Sequence, residues 1–185
     1  MKTKTRTADN SALRISHSAL AFVALGSNLG DSQKILREAM ARLEQFSNAP
    51  AWPSSLWQTS PVACPPGSPT FLNAVVGFIP QPGETPETLL AKLQALEKEF
   101  GRQNKKVLNE PRPLDLDLIM FGTEVRSTAP LTLPHPRALE RRFVLQPLGE
   151  IAPDLVLPGQ TQTVAQLLAR LRDHETCVKI NQATA

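Results

Sequence analysis

The chain has 185 residues, a formal charge of +3 and two cysteines, Cys64 and Cys177, that are far apart and without metal-ligand spacing. That length holds one domain with a real core, the cysteines give no sign of a disulfide framework or a zinc site, and the mild basicity suits anionic small molecules while arguing too weakly for nucleic acid. No apolar run approaches the roughly 20 residues of a membrane span, so a cytoplasmic protein with no membrane partner is expected.

Residues 1–18 are rich in Thr, Ser, Lys and Arg and read as a disordered extension, with an organelle-type leader as the lesser alternative because Asp9 is their only acid. Residues 19–25 form an apolar strand that ends in Gly26, Ser27, Asn28, Leu29, Gly30 and Asp31. Ile35, Leu36, Ala39, Met40 and Leu43 then recur at helical spacing. The turn between them lacks both the P-loop ending and the three-glycine fingerprint, so it reads as structural, with Asp31 or Ser32 capping the helix. Strands are predicted over 57–59 and 71–79, joined by a proline-rich loop of the kind that often carries function. Thr85 and Pro86 open a second helix with Leu89, Leu90, Leu93, Leu96 and Phe100 on one face, and Gly101 stops it. Residues 102–110 are polar, without period, and read as a mobile lid.

The fourth strand, within 111–121, places Asp115 and Asp117 on one face and Leu114, Leu116 and Leu118 on the other. After Gly122 come a short hairpin, a loop over 130–137, a helix predicted over 138–145 and a last amphipathic helix over 164–171. The order strand, helix, strand, strand, helix, strand is that of an α+β, ferredoxin-like βαββαβ sandwich, with helices on one face of an antiparallel sheet and an appended C-terminal region. The domain is expected to span 19–175, with 176–185 as a tail.

A bare Asp-Leu-Asp is more often one solvated polar face of a strand. The two carboxylates nevertheless stand side by side, and unit charges about 6 Å apart repel by roughly 3 kcal/mol at an effective dielectric of 20. A cation would remove that cost, and paired carboxylates suit Mg²⁺ completed by phosphate oxygens. Arg112, held between Pro111 and Pro113, is restricted in a way that a casual surface arginine is not.

Taken together, the residues resemble the 6-hydroxymethyl-7,8-dihydropterin pyrophosphokinase family. The marks, in one register over roughly 20–159, are Ala24 to Gly30; Thr59 before the proline-rich loop; Phe71, Leu72, Asn73 and Ala74; Leu93, Gln94, Ala95, Leu96 and Glu97 through Gly101 and Arg102; Pro111, Arg112 and the aspartates; Pro134 and His135; and Arg141, Arg142 and Phe143. The resemblance implies transfer of diphosphate from ATP to a pterin alcohol with AMP leaving, a step of tetrahydrofolate biosynthesis. It implies two Mg²⁺ ions on Asp115 and Asp117, with Arg102 and Arg112 supplying positive charge around the transferred group. Thr59, Ser60, Val62, Phe71, Asn73 and Phe143 are implied to hold the pterin, and Gln94, Glu97, Leu118, Thr132, His135 and Arg141 to surround the nucleotide. The partners implied are the two small molecules, and a monomer is expected.

The chain departs from the family pattern where many members have Arg, Trp and Gly, having Leu108, Asn109 and Glu110 instead. Ser60 stands where proline is common, Asn104 where arginine is common, and Pro130 where an arginine can contact nucleotide. Activity with altered lid energetics is therefore expected. Two rival readings are an RNA-binding module, disfavoured because the third strand lacks an aromatic-rich signature, and a catalytically idle paralogue that keeps pterin or nucleotide binding.

Overall fold

The computed structural model describes residues 20–103, 110–171 and 176–180. The elements in chain order are β1 (Ala21–Ser27), α1 (Ser32–Glu44), β2 (Trp52–Pro53), β3 (Trp57–Thr59), β4 (Phe71–Phe78), α2 (Pro86–Glu99), β5 (Asp115–Phe121), β6 (Arg126–Thr128), β7 (Leu131–Leu133), α3 (Arg142–Ile151), α4 (Val164–Arg170) and β8 (Cys177–Lys179). The main sheet runs β5-β1-β4-β3-β8, with β2 also on β4, and all its pairings are antiparallel. β6 and β7 pair separately as a small hairpin.

β1 is buried along its whole length because both sheet faces are covered. Ala21, Val23 and Leu25 meet Leu36, Ala39 and Leu43 of α1 and Leu89, Leu93 and Leu96 of α2. On the other face Phe22 and Ala24 meet Val144, Leu145 and Leu148 of α3, with Val164 at the start of α4. α1 and α2 thus share one face, and α3 and α4 of the C-terminal region cover the other. The period-2 alternation of β1 makes both rows apolar, and the C-terminal helices fold back to cover the second row.

Local chemistry sets the helix starts. The Asp31 side chain accepts the Lys34 N–H at 3.1 Å, and Thr85 with Thr88 forms a reciprocal box at the start of α2, where Pro86 lacks an N–H that no carbonyl would have met. The third helix differs from expectation. Residues Ala138–Glu140 form a single 3-10 turn, Arg141 is extended, and α3 begins at Arg142 and runs through Pro147. A proline inside a helix removes one ladder bond, and here it is carried by the burial of Val144, Leu145, Pro147 and Leu148. β8 lies in the segment read as a tail and pairs with β3 over Cys177–Thr59, Val178–Gln58 and Lys179–Trp57. The 1–18 extension and most of the expected lid, including Asn104, Leu108 and Asn109, fall outside the described residues.

Candidate active site

Asp115 and Asp117 open β5 beside Gly26 and Ala24 of β1, on the sheet face that α3 covers, and both line one cavity of about 160 Å³. Asp115 is clamped. Arg102 donates through Nη1 to its Oδ1 at 2.6 Å, and Arg112 donates through Nη2 to its Oδ2. Burial opposes ionisation of Asp115, but the two guanidiniums outweigh it and hold the carboxyl below its usual range. Glu97 of α2 accepts from the same Arg102 nitrogen and from the Leu116 N–H. Arg112 is fixed in turn by Asn28, whose Oδ1 accepts the Arg112 N–H at 2.9 Å and whose own N–H donates to the Arg112 carbonyl at 3.2 Å.

Asp117 has weaker support. His135 Nε2 stands 3.9 Å from its Oδ1 and Arg141 Nη1 3.8 Å from its Oδ2. Burial first, and then the charge of Asp115, push the Asp117 carboxyl above its usual range. The His135 position follows from a bulge: Val23 pairs with Leu118 and Phe22 with Met120, so Ile119 is the extra residue, and its carbonyl accepts the His135 N–H at 2.8 Å. The Arg137 N–H donates to His135 Nδ1 at 3.3 Å, which leaves Nε2 to face Asp117.

The rest of the cavity wall is apolar and aromatic with a few oriented polar groups. Asn73 Nδ2 donates to Thr59 Oγ1 at 2.8 Å, while a Cβ at Gly26 would come within 3.2 Å of Asn73 Oδ1, so a glycine there leaves that oxygen its place. The Arg112 guanidinium covers the Phe71 ring at 5.4 Å and that of Arg141 the Phe143 ring at 5.3 Å.

Of the residues named from sequence, Thr59, Ser60, Val62, Phe71, Asn73, Arg112, Asp115, Asp117, Arg141 and Phe143 line this cavity. Arg102 and Glu97 stand behind Asp115. Gln94 is exposed on α2, Thr132 is exposed on β7, and Leu118 is buried among the leucines on the opposite face of the sheet. Ala63, Cys64 and Arg137 also line the cavity and were not foreseen, although Arg137 stands two residues after the singled-out Pro134 and His135. Asn28 was read as part of a structural turn, and its grip on Arg112 has no signal in sequence spacing.

Among the described residues, no cluster of three or more His, Cys, Asp or Glu side chains comes together as metal ligands. That leaves a two-carboxylate donor set, the number Mg²⁺ commonly takes, in which burial and the charge of Asp115 raise the Asp117 carboxyl above its usual range. No helix among the described residues is long and apolar enough to cross a membrane.

Residues 22–153 match the family model for 7,8-dihydro-6-hydroxymethylpterin-pyrophosphokinase (HPPK). The chain is 37% identical over 161 residues to 2-amino-4-hydroxy-6-hydroxymethyldihydropteridine pyrophosphokinase of Haemophilus influenzae, covering 87% of this chain and 98% of that one. It is 37% identical over 155 residues to folic acid synthesis protein fol1 of Pneumocystis carinii, covering 83% of this chain but only 20% of that protein. The fold is similar to that of wild-type Plasmodium falciparum HPPK-DHPS, with a TM-score of 0.62 at 13% identity, over 81% of this chain and 44% of that one. The chain thus spans a fifth of the fungal protein and under half of the solved one. With the match covering most of its length, the chain belongs to the 7,8-dihydro-6-hydroxymethylpterin-pyrophosphokinase family.

Proposed function

We propose that this chain transfers the diphosphate group of ATP to the hydroxymethyl oxygen of 6-hydroxymethyl-7,8-dihydropterin, with AMP leaving, as a step of folate synthesis. The observation that carries the reading is one cavity in which Asp115, Asp117, Arg112 and Arg141 adjoin a slot made by Thr59, Phe71, Asn73 and Phe143. A flat heterocycle with an amide-like edge suits that slot, because rings supply faces and Asn73 keeps an acceptor beside the donor it gives to Thr59. Asp115 and Asp117 would hold Mg²⁺, two ions in this reading, which when bound neutralises phosphate charge.

Phosphoryl transfer depends mainly on alignment and on charge around the transferred group, and it needs no strong general base. Arg102 and Arg112 keep Asp115 ionised. Arg112 Nε is buried with no acceptor among the described residues, in keeping with a donor reserved for a ligand oxygen. Thr132, His135 and Arg141 flank the nucleotide in this reading, with Gln94 at its rim and Glu97 and Leu118 supporting the strand from behind. The frame would be a ferredoxin-like βαββαβ sandwich with its C-terminal region appended, in a cytoplasmic monomer acting on small molecules.

The test is incubation with ATP, Mg²⁺ and the pterin alcohol, followed by identification of the nucleotide product. AMP that appears only with the pterin is expected. Pterin-dependent ADP would refute diphosphate transfer, and tight binding of both ligands without turnover would favour an idle paralogue.

A further inference from the structure

Three arginines line the cavity, Arg112, Arg137 and Arg141, and two of them are already engaged. Arg112 donates to Asp115, and Arg141 faces Asp117 at 3.8 Å. Arg137 has no carboxylate within ion-pair distance among the described residues. Nor does its side chain cap the 3-10 turn that it precedes. An arginine in that state is ordinarily a solvated surface group, but two features set this one apart. It is part of the cavity wall. Its backbone N–H donates to His135 Nδ1 at 3.3 Å, which anchors the root of an exposed side chain.

The cavity wall thus carries, besides Arg112 and Arg141, a guanidinium that no carboxylate among the described residues holds. The guanidinium fork matches a phosphate group in shape and in donor count, and a charge-assisted pair of this kind is among the stronger polar contacts. We propose that Arg137 is a further nucleotide-binding residue, which takes phosphate oxygens of the triphosphate on the Asp117 side of the cavity. The inference rests on the phosphate-transfer reading above and deepens it, because it names a cation that no carboxylate of the apo site already holds.

Calorimetric titration with inorganic tripolyphosphate and Mg²⁺, with a non-hydrolysable ATP analogue and Mg²⁺, and with the pterin alcohol tests it in wild type, R137Q and R137K. R137Q is expected to weaken both phosphate ligands roughly tenfold and to leave pterin affinity unchanged, while R137K recovers most of the loss. Wild-type affinity of R137Q for tripolyphosphate and the ATP analogue would overturn the proposal, as would an equal loss of pterin affinity, which marks a general disturbance. A wild-type protein that binds tripolyphosphate through Arg137 yet makes no AMP from ATP and pterin would sink the proposed reaction and uphold the role of Arg137.

Discussion

Glu97 accepts the backbone N–H of Leu116 at 2.7 Å, so a carboxylate on α2 grips β5 at the residue between Asp115 and Asp117. Burial pushes its pKa up to about 7; the Leu116 hydrogen bond and Arg102 oppose the rise, and Asp115 and Asp117 add to it. The folded chain then holds a proton that the unfolded chain releases above its ordinary value of 4.5. The contribution of Glu97 to stability is fully present below pH 4.5 and is lost as pH rises through about 7. Across that window the unfolding free energy of wild type minus that of Glu97→Gln should fall by up to about 3 kcal/mol. Denaturant melts of both proteins at either end of the window measure it. A difference that does not move with pH would contradict the assignment.

The two aspartates should separate in stability while agreeing in activity. Asp115→Asn leaves Arg112 without its charged acceptor and Arg102 with Glu97 alone, and should cost about 3 kcal/mol, as breaking a buried pair does. Asp117→Asn removes a carboxylate whose ionisation burial and Asp115 already oppose, so it should be neutral or stabilising in the apo protein. Turnover should fall by a factor on the order of 10³ in both, if each carboxylate stabilises charge in the transition state. Melts paired with AMP release check this, and equal stability losses would break the asymmetry.

Asn73→Ala and Phe143→Ala should weaken pterin binding roughly tenfold or more and change ATP-analogue binding little. The first removes the amide that Thr59 orients, and the second removes a ring backed by Arg141. Calorimetry with each ligand separates the two effects, and unchanged pterin affinity in both variants would return these residues to a purely structural role.

A second carboxylate governs the acid limb. Glu150 of α3 accepts the N–H and Oγ–H of Ser55, the Trp57 indole N–H and Lys179 Nζ, at 2.7 to 3.1 Å. Burial disfavours its ionisation, but these donors together hold its pKa down at about 2. The stabilisation is present above the ordinary value of 4.5 and is lost as pH falls through about 2. Glu150→Gln should therefore flatten the acid side of the stability profile, by about 1–2 kcal/mol once solvent screening of this partly exposed group is allowed for. Thermal melts from pH 5 down to about pH 2.5 check it, and parallel profiles would refute it.

What was legible in the sequence is what local patterning encodes. α1 and α2 announce themselves by period and by Asp31 and Thr85 at their starts, and β5 by apolar residues alternating with aspartates. β2 and β8 escaped because strands of two and three residues carry no period and exist only through pairing with β4 and β3. The start of α3 was misplaced because Arg141 leaves the helical path before the chain commits to it. The site was legible as a list of residues and not as a charge arrangement. Spacing indicated that Asp115 and Asp117 repel, but it could not show that Arg102 and Arg112 already settle Asp115 and leave Asp117 the less compensated member of the pair.

The pairing of β8 with β3 ties the far end of the described chain to the part of the cavity wall that Thr59 and Ser60 form. Cys177 lies opposite Thr59, and the Thr176 carbonyl accepts the Ser60 N–H at 3.2 Å. Cutting the chain after residue 175 would thus strip the outer ladder from the strand that presents Thr59 to Asn73, and a bulky fusion at that end would pull on the same ladder. In handling terms that end is no silent attachment point: a purification tag beyond β8 would load the ladder that holds the strand carrying Thr59.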